Sequence, residues 1–111
     1  MRLGGAASRV AVVAALAAAW VHGAQAKWPD PPAWFLKAAA CVHRHESPDW
    51  QLRNWPYAGG MQFLDSTWRS VGGRGSAADA SPGEQLWRAF LLYERDGWGA
   101  WPNTSRLCGL R

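Results

Sequence analysis

The chain has 111 residues, of which 49% are hydrophobic, and its 12 basic and 8 acidic residues give a formal net charge of +4. This length is typical of one small domain. Arg2 and Arg9 lie in an N-terminal segment with the composition of a leader, so the remainder has 10 basic residues (12 minus 2) against 8 acidic ones. So small an excess does not indicate a nucleic-acid-binding protein.

The first 26 residues have the pattern of a secretory leader. Two arginines flank the start of an apolar run over residues 10–21, and residues 24–26 supply the small side chains that signal peptidase needs at its cleavage point. The run is too short to span a bilayer comfortably, although an uncleaved membrane anchor is the alternative. We therefore predict a signal peptide over residues 1–26, an exported domain over residues 27–111, and no stable membrane insertion after cleavage.

A domain this small buries little apolar surface, so it needs additional stabilisation. Eight of the nine tryptophans lie in residues 27–111, together with both cysteines, Cys41 and Cys108. In an exported protein, two cysteines in one small domain indicate a single disulfide. Two free thiols are the alternative, but neither cysteine lies in a CxxC motif that would favour a reactive thiol.

The first predicted element is an amphipathic helix over residues 33–46. Helical spacing relates Trp34, Ala38, Cys41, Val42 and His45, which we expect to share the apolar face. Asp30 is the expected N-cap, with a proline in the first turn. Pro48 should end the helix, because the residue before a proline is disfavoured in the α conformation.

The rest of the chain predicts a mainly α, small lysozyme-like α+β domain with at most a short hairpin and one disulfide. Residues 48–60 and 72–80 are expected to be loops, with a possible hairpin near residues 55–63. Leu64, Trp68 and Val71 would lie on one face of a brief helix that ends at Gly72-Gly73. Ser81-Pro82-Gly83-Glu84 has the pattern of a capping box, which predicts a helix that continues to Gly97. No regular structure is predicted for the tail, residues 98–111.

Several short motifs occur in an order that is specific when they are taken together. Glu46-Ser47 ends the first predicted helix, Gly59-Gly60-Met61-Gln62-Phe63 follows, and Thr67-Trp68 comes shortly after. The second helix begins with residues 81–85, and a tryptophan-rich C-terminal segment over residues 98–108 ends in a cysteine. In these motifs the chain resembles the transglycosylase-like and resuscitation-promoting-factor group of the lysozyme superfamily.

The resemblance implies an enzyme that cuts peptidoglycan glycan strands between N-acetylmuramic acid and N-acetylglucosamine. Glu46 would be its general acid and base, and the partial negative charge of a helix C-terminus favours the protonated acid that glycoside cleavage requires. Lytic transglycosylase and muramidase chemistry both remain open. Asp49 and Asp65 are the candidates for a second carboxylate, although family members of this type are thought to work with one glutamate.

The resemblance and the residue types together indicate the remaining candidate site residues. Gln62 is expected to hydrogen-bond the glycan, Gly60 to let the backbone approach a sugar, and Tyr57 and Trp50 to stack on sugar rings, with Thr67 as a further contact. No cofactor and no metal are expected, because His43 and His45, two residues apart on a helix, point in different directions. Trp68 and Phe63 are expected in the core.

In one position the chain departs from the resuscitation-promoting members. There a cysteine directly precedes the catalytic glutamate, whereas here His45 precedes Glu46 and the cysteine lies one turn earlier. This puts specific resuscitation activity in doubt, although positions 41 and 45 share a helix face and a bridge between Cys41 and Cys108 stays feasible. We expect a secreted, wall-associated monomer that binds peptidoglycan strands. The alternatives are a non-catalytic glycan-binding module and a wall-associated signalling protein.

Overall fold

A computed structural model describes residues 28–111 of the chain, so the predicted signal peptide lies outside the described residues. Helix α1 spans Ala33–Glu46, the predicted range. The prediction that Asp30 caps it was wrong, because Pro32 takes the N-cap position and no side chain bonds there. The Pro32 carbonyl instead accepts from the amides of the first helical turn. Ser47, before Pro48, turns to an extended conformation (φ −158°, ψ 141°) and ends the helix.

The buried face of α1 differs from the predicted one. Phe35, Ala39 and Val42 are fully buried, at the i, i+4, i+7 spacing of a helix face. Trp34, placed on the apolar face by the sequence, is 55% exposed and contacts other aromatic rings at the edge of the core. Phe35 supplies the large aromatic side chain of the buried face, where its ring contacts those of Phe90 and Trp98.

A three-stranded antiparallel sheet follows α1. Strand β1 is Arg53–Asn54, β2 is Tyr57–Ala58 and β3 is Phe63–Leu64, in the order β1-β2-β3. The predicted hairpin near residues 55–63 is the β2–β3 pair, in which Ala58 lies opposite Phe63. The prediction of loop throughout residues 48–60 was wrong, because β1 adds a further strand beside β2. Strands of two residues are too short to show an alternating pattern.

The remaining elements are helical. They are α2 (Asp65–Ser70), a 3₁₀ turn (Ala77–Asp79), α3 (Pro82–Asp96), a second 3₁₀ turn (Gly97–Ala100) and α4 (Pro102–Leu107). Ser81 caps α3 as predicted, because its Oγ accepts from the amide of Glu84 at 3.1 Å. The Glu84 carboxylate bonds Arg88 instead of completing the capping box. The predicted loop over residues 72–80 contains the first 3₁₀ turn, and the tail contains α4, which the sequence did not predict.

The core lies where α1, the sheet and α3 meet. Trp68 and Phe63 are buried, as predicted, and together with Met61 and Trp101 they provide the large side chains on the sheet side of the core. The predicted disulfide between Cys41 and Cys108 is present. The mainly helical fold class with a small sheet is therefore confirmed. No helix within residues 28–111 is long and apolar enough to cross a membrane.

Candidate active site

Glu46 is the last residue of α1 and is partly buried. Its Oε2 accepts a hydrogen bond of 2.8 Å from the hydroxyl of Thr104, which lies 58 residues later in the chain. Within residues 28–111, Oε1 accepts no hydrogen bond. Among the described residues, the carboxyl group is thus held through one oxygen only.

Thr104 reaches Glu46 because α4 is fastened against α1. Cys108, which follows Thr104 by one helical turn, forms the disulfide with Cys41, and the two Cα atoms are 6.0 Å apart. Cys41 comes before Glu46 along α1, whereas its partner Cys108, at the end of α4, comes after Thr104, the partner of Glu46. This order means that the two helices run antiparallel, with the disulfide and the Glu46–Thr104 bond as successive links between them.

The glycine-rich segment forms a tight turn over residues 59–62, called here the 59–62 turn. Gly59 has φ +85° and Gln62 has φ +53°, both in the left-handed region. The Gln62 side chain donates from Nε2 to the carbonyl of Gly59 at 2.8 Å. A Cβ on Gly60 would lie 2.3 Å from the Trp50 ring, so the close packing of Trp50 requires glycine at this position.

His43 connects α1 to this turn. Its Nδ1 donates to the carbonyl of Gly60 at 2.8 Å, and its ring stacks on Trp50 with centroids 4.0 Å apart. The imidazole lies one turn of α1 before Glu46. The position of the 59–62 turn relative to the helix end is therefore fixed by a direct contact as well as by the chain.

Gln85, on α3, holds the same turn from the other side. Its side chain is fully buried; Oε1 accepts from the amide of Gly60 at 2.9 Å, and Nε2 donates to the carbonyls of Trp50 and Ala80 at 2.9 and 3.0 Å. Three backbone groups in three different segments thus share one buried amide. Such a group is costly to remove, because each partner is left buried and unpaired.

We expect Gln85→Leu to lower the free energy of unfolding by about 3 kcal/mol, since about 1–3 kcal/mol is lost for each buried polar group left without a partner. Urea unfolding followed by tryptophan fluorescence would measure it. Gln51→Leu, at an exposed position, is the control and should change stability little. An equal, small change in both variants would contradict the role given to Gln85.

Exposed aromatic side chains lie on the outer side of the sheet. Tyr57 is 44% exposed and Trp55 is 90% exposed. They border a cavity of about 230 Å³ whose polar lining includes Asp65 and Ser76, and Glu46 does not line this cavity. Thr67, in the middle of α2, is partly exposed, and its backbone carbonyl accepts from Ser70.

The other acidic candidates have local contacts. Asp49 lies in the turn after α1, where its carboxylate accepts from the amide of Gln51 at 2.8 Å. Asp65 is exposed and opens α2. His45 lies near the disulfide, with a ring nitrogen and both sulfurs within 4.8 Å of one another, but the sulfurs are bonded to each other and so are not thiolate ligands.

Four residues around the site were not assigned to it by the sequence: Thr104, His43, Gln85 and Trp55. Thr104 lies in a helix that the sequence did not reveal, so nothing connected it with Glu46. Gln85 belongs to the Glu-Gln motif that opens α3, but the sequence indicated no role for it. Trp55, beside a proline in a loop, was the one with a readable signal, because a tryptophan in a polar turn has little chance of burial.

The geometry defines a small lysozyme-like domain, in which a partly buried glutamate ends a helix beside a three-stranded sheet and a disulfide. The family model of the transglycosylase-like domain matches residues 42–104, more than half of the chain. The chain therefore belongs to the transglycosylase-like domain family. The resemblance found in the motifs is confirmed.

Several resuscitation-promoting factors are similar to the chain. Rpf of Micrococcus luteus is 48% identical over 54 residues, which cover 49% of this chain and 24% of that protein. RpfE of Mycobacterium tuberculosis is 36% identical over 84 residues, 75% of this chain and 46% of that protein. RpfC of the same species is 31% identical over 86 residues, 66% of this chain and 61% of that protein. The chain thus spans less than two thirds of the length of each of these relatives.

Proposed function

We propose that the protein is a secreted enzyme that cleaves peptidoglycan glycan strands between N-acetylmuramic acid and N-acetylglucosamine. The observation that carries the proposal is the Glu46 carboxyl group, which ends α1 with Oε2 held by Thr104, while Oε1 accepts no hydrogen bond from residues 28–111. Membership of the transglycosylase-like family supports the same chemistry. Export is supported by the leader pattern in residues 1–26 and by the disulfide, which is typical of oxidising compartments.

In the proposed reaction, Glu46 first acts as a general acid. It gives its proton to the glycosidic oxygen, the bond between that oxygen and the anomeric carbon breaks, and N-acetylglucosamine leaves with a free hydroxyl. The resulting carboxylate then acts as a base. It takes a proton either from the 6-hydroxyl of the muramoyl sugar, which closes a 1,6-anhydro ring, or from a water molecule, which hydrolyses the bond.

One carboxylate is sufficient for this sequence if the substrate supplies the second group. The N-acetyl group or the 6-hydroxyl of the sugar would then do what the second carboxylate does in two-carboxylate glycosidases. The hydrogen bond of Asp49 to its own turn supports a one-glutamate mechanism.

Six further residues belong to the proposed glycan site. Tyr57 supplies an exposed ring for stacking on a sugar, and Trp55 beside it supplies another. Gln62 and Thr67 supply polar contacts, and Gly60 and Trp50 shape the 59–62 turn that carries Gln62. In this proposal the protein acts as a monomer and needs no cofactor.

The experiment is to incubate the purified, oxidised protein with isolated peptidoglycan and to determine the masses of the soluble products. Release of muropeptides supports the proposal, and a product lighter by one water identifies the transglycosylase reaction over hydrolysis. If a sample shown to be folded by circular dichroism releases nothing, the enzymatic function is rejected. Cosedimentation of that inactive sample with peptidoglycan would then identify a non-catalytic binding module.

A further inference from the structure

Thr104 contributes more than packing to the contact between α4 and α1. Its hydroxyl crosses to α1, whereas that of the adjacent Ser105 bonds within its own helix, to the carbonyl of Pro102. Thr104 itself is only 7% exposed. Because the Thr104 hydroxyl is buried, its hydrogen bond holds the partly exposed Glu46 carboxylate in one orientation.

Helix α4 has six residues, too few to be stable by itself, so its position depends on its anchors. Trp101, three residues before Thr104, donates from Nε1 to the carbonyl of Met61 at 2.9 Å and is buried. Cys108, four residues after Thr104, is bonded to Cys41. Thr104 thus lies between one anchor on the 59–62 turn and another on α1, the two parts of the chain that meet at the candidate site.

We infer that Thr104 is a positioning residue for Glu46, an inference that rests on the proposed function. A glutamate at a helix end has three side-chain torsions, and fixing one carboxylate oxygen restricts them before the substrate arrives. In the proposed mechanism, Glu46 acts first as an acid and then as a base from the same position. A preset orientation therefore accelerates the chemical steps and leaves binding of the glycan unchanged.

Thr104→Val removes the hydroxyl and keeps the shape of the side chain, whereas Thr104→Ser keeps the hydroxyl. We expect Thr104→Val to lower the turnover rate on peptidoglycan about 10- to 100-fold with little change in the half-saturating substrate concentration. Thr104→Ser should retain activity to within about threefold. Ser105→Ala, at the adjacent buried position whose hydroxyl bonds the carbonyl of Pro102, is the matched control and should remain close to the parent protein.

Each outcome decides the inference. Full activity of Thr104→Val overturns it, as does equal loss in the valine and serine variants, which would indicate packing alone. A change confined to the half-saturating concentration would also overturn it, because Thr104 would then be a substrate contact. If the parent protein releases no product, the proposed function fails; crystal structures then test the inference, which requires one Glu46 conformer in the parent and several in Thr104→Val.

Discussion

Replacing Glu46 by glutamine should reduce the release of soluble muropeptides by at least about 100-fold, the lower end of what a general acid contributes. Glutamine has nearly the same shape and still offers Thr104 an acceptor oxygen, so the contact across α1 and α4 can persist. What is lost is the acidic proton and the basic oxygen that both half-reactions of the proposed mechanism require. The measurement is the initial rate of product release from isolated peptidoglycan, with product masses identified.

The control for this variant is Glu94→Gln, which makes the same chemical change at an exposed position of α3. It should retain the parent rate, and its free energy of unfolding should match that of the parent to within about 0.5 kcal/mol, as expected of a surface substitution. Glu46→Gln, at a partly buried position, should remain folded, which circular dichroism checks. Cosedimentation with peptidoglycan should also be unchanged in Glu46→Gln. A Glu46→Gln protein that is folded and as active as the parent would remove Glu46 from the chemistry.

The sequence was most informative where local chemistry alone decides the structure. The bounds of α1 follow from proline and the spacing of apolar residues, and the start of α3 follows from Ser81 and Pro82. The Cys41–Cys108 bridge followed from counting two cysteines in a small exported domain. The two helix signals extend over one or two turns of chain, so they do not depend on the rest of the fold, and the bridge required only a count of the cysteines.

The parts that the sequence did not predict depend on contacts between distant segments. Helix α4 is too short to show a period, and it is stable because Trp101 and Cys108 are held by other segments. The buried face of α1 depends on packing against other segments, such as that of Phe35 against Phe90 of α3, which no spacing rule reports. The Glu46–Thr104 bond is the plainest case, since its partners are 58 residues apart and one lies in an unpredicted helix.

The glycine motif is a further case in which a contact with a distant segment was not predicted. The sequence suggested that Gly60 leaves room for a sugar, a role that remains a proposal. The structure gives the glycine a packing reason as well, because Trp50 occupies the space where a side chain would lie. A motif therefore locates a site more readily than it explains each residue in it.

Removing the disulfide should have the largest effect on stability. The bridge closes a loop of 67 residues, and in the chain-entropy model such a loop contributes about 4 kcal/mol by restricting the unfolded chain. A small domain has little stability beyond that, so we expect the double variant Cys41→Ser with Cys108→Ser to be largely unfolded near 37 °C. Urea unfolding at low temperature, followed by tryptophan fluorescence, would measure the loss.

Reduction of the parent protein with a dithiol is the matched comparison, because it breaks the same bond without changing any other atom of the fold. It should destabilise the parent by about as much as the double substitution does, and it should leave the double variant unchanged. The bridge also fastens α4, so at a temperature where the double variant is still folded its turnover should fall toward that of Thr104→Val. A double variant with parental stability and activity would mean that Trp101 and its bond to Met61 suffice to hold α4 against α1.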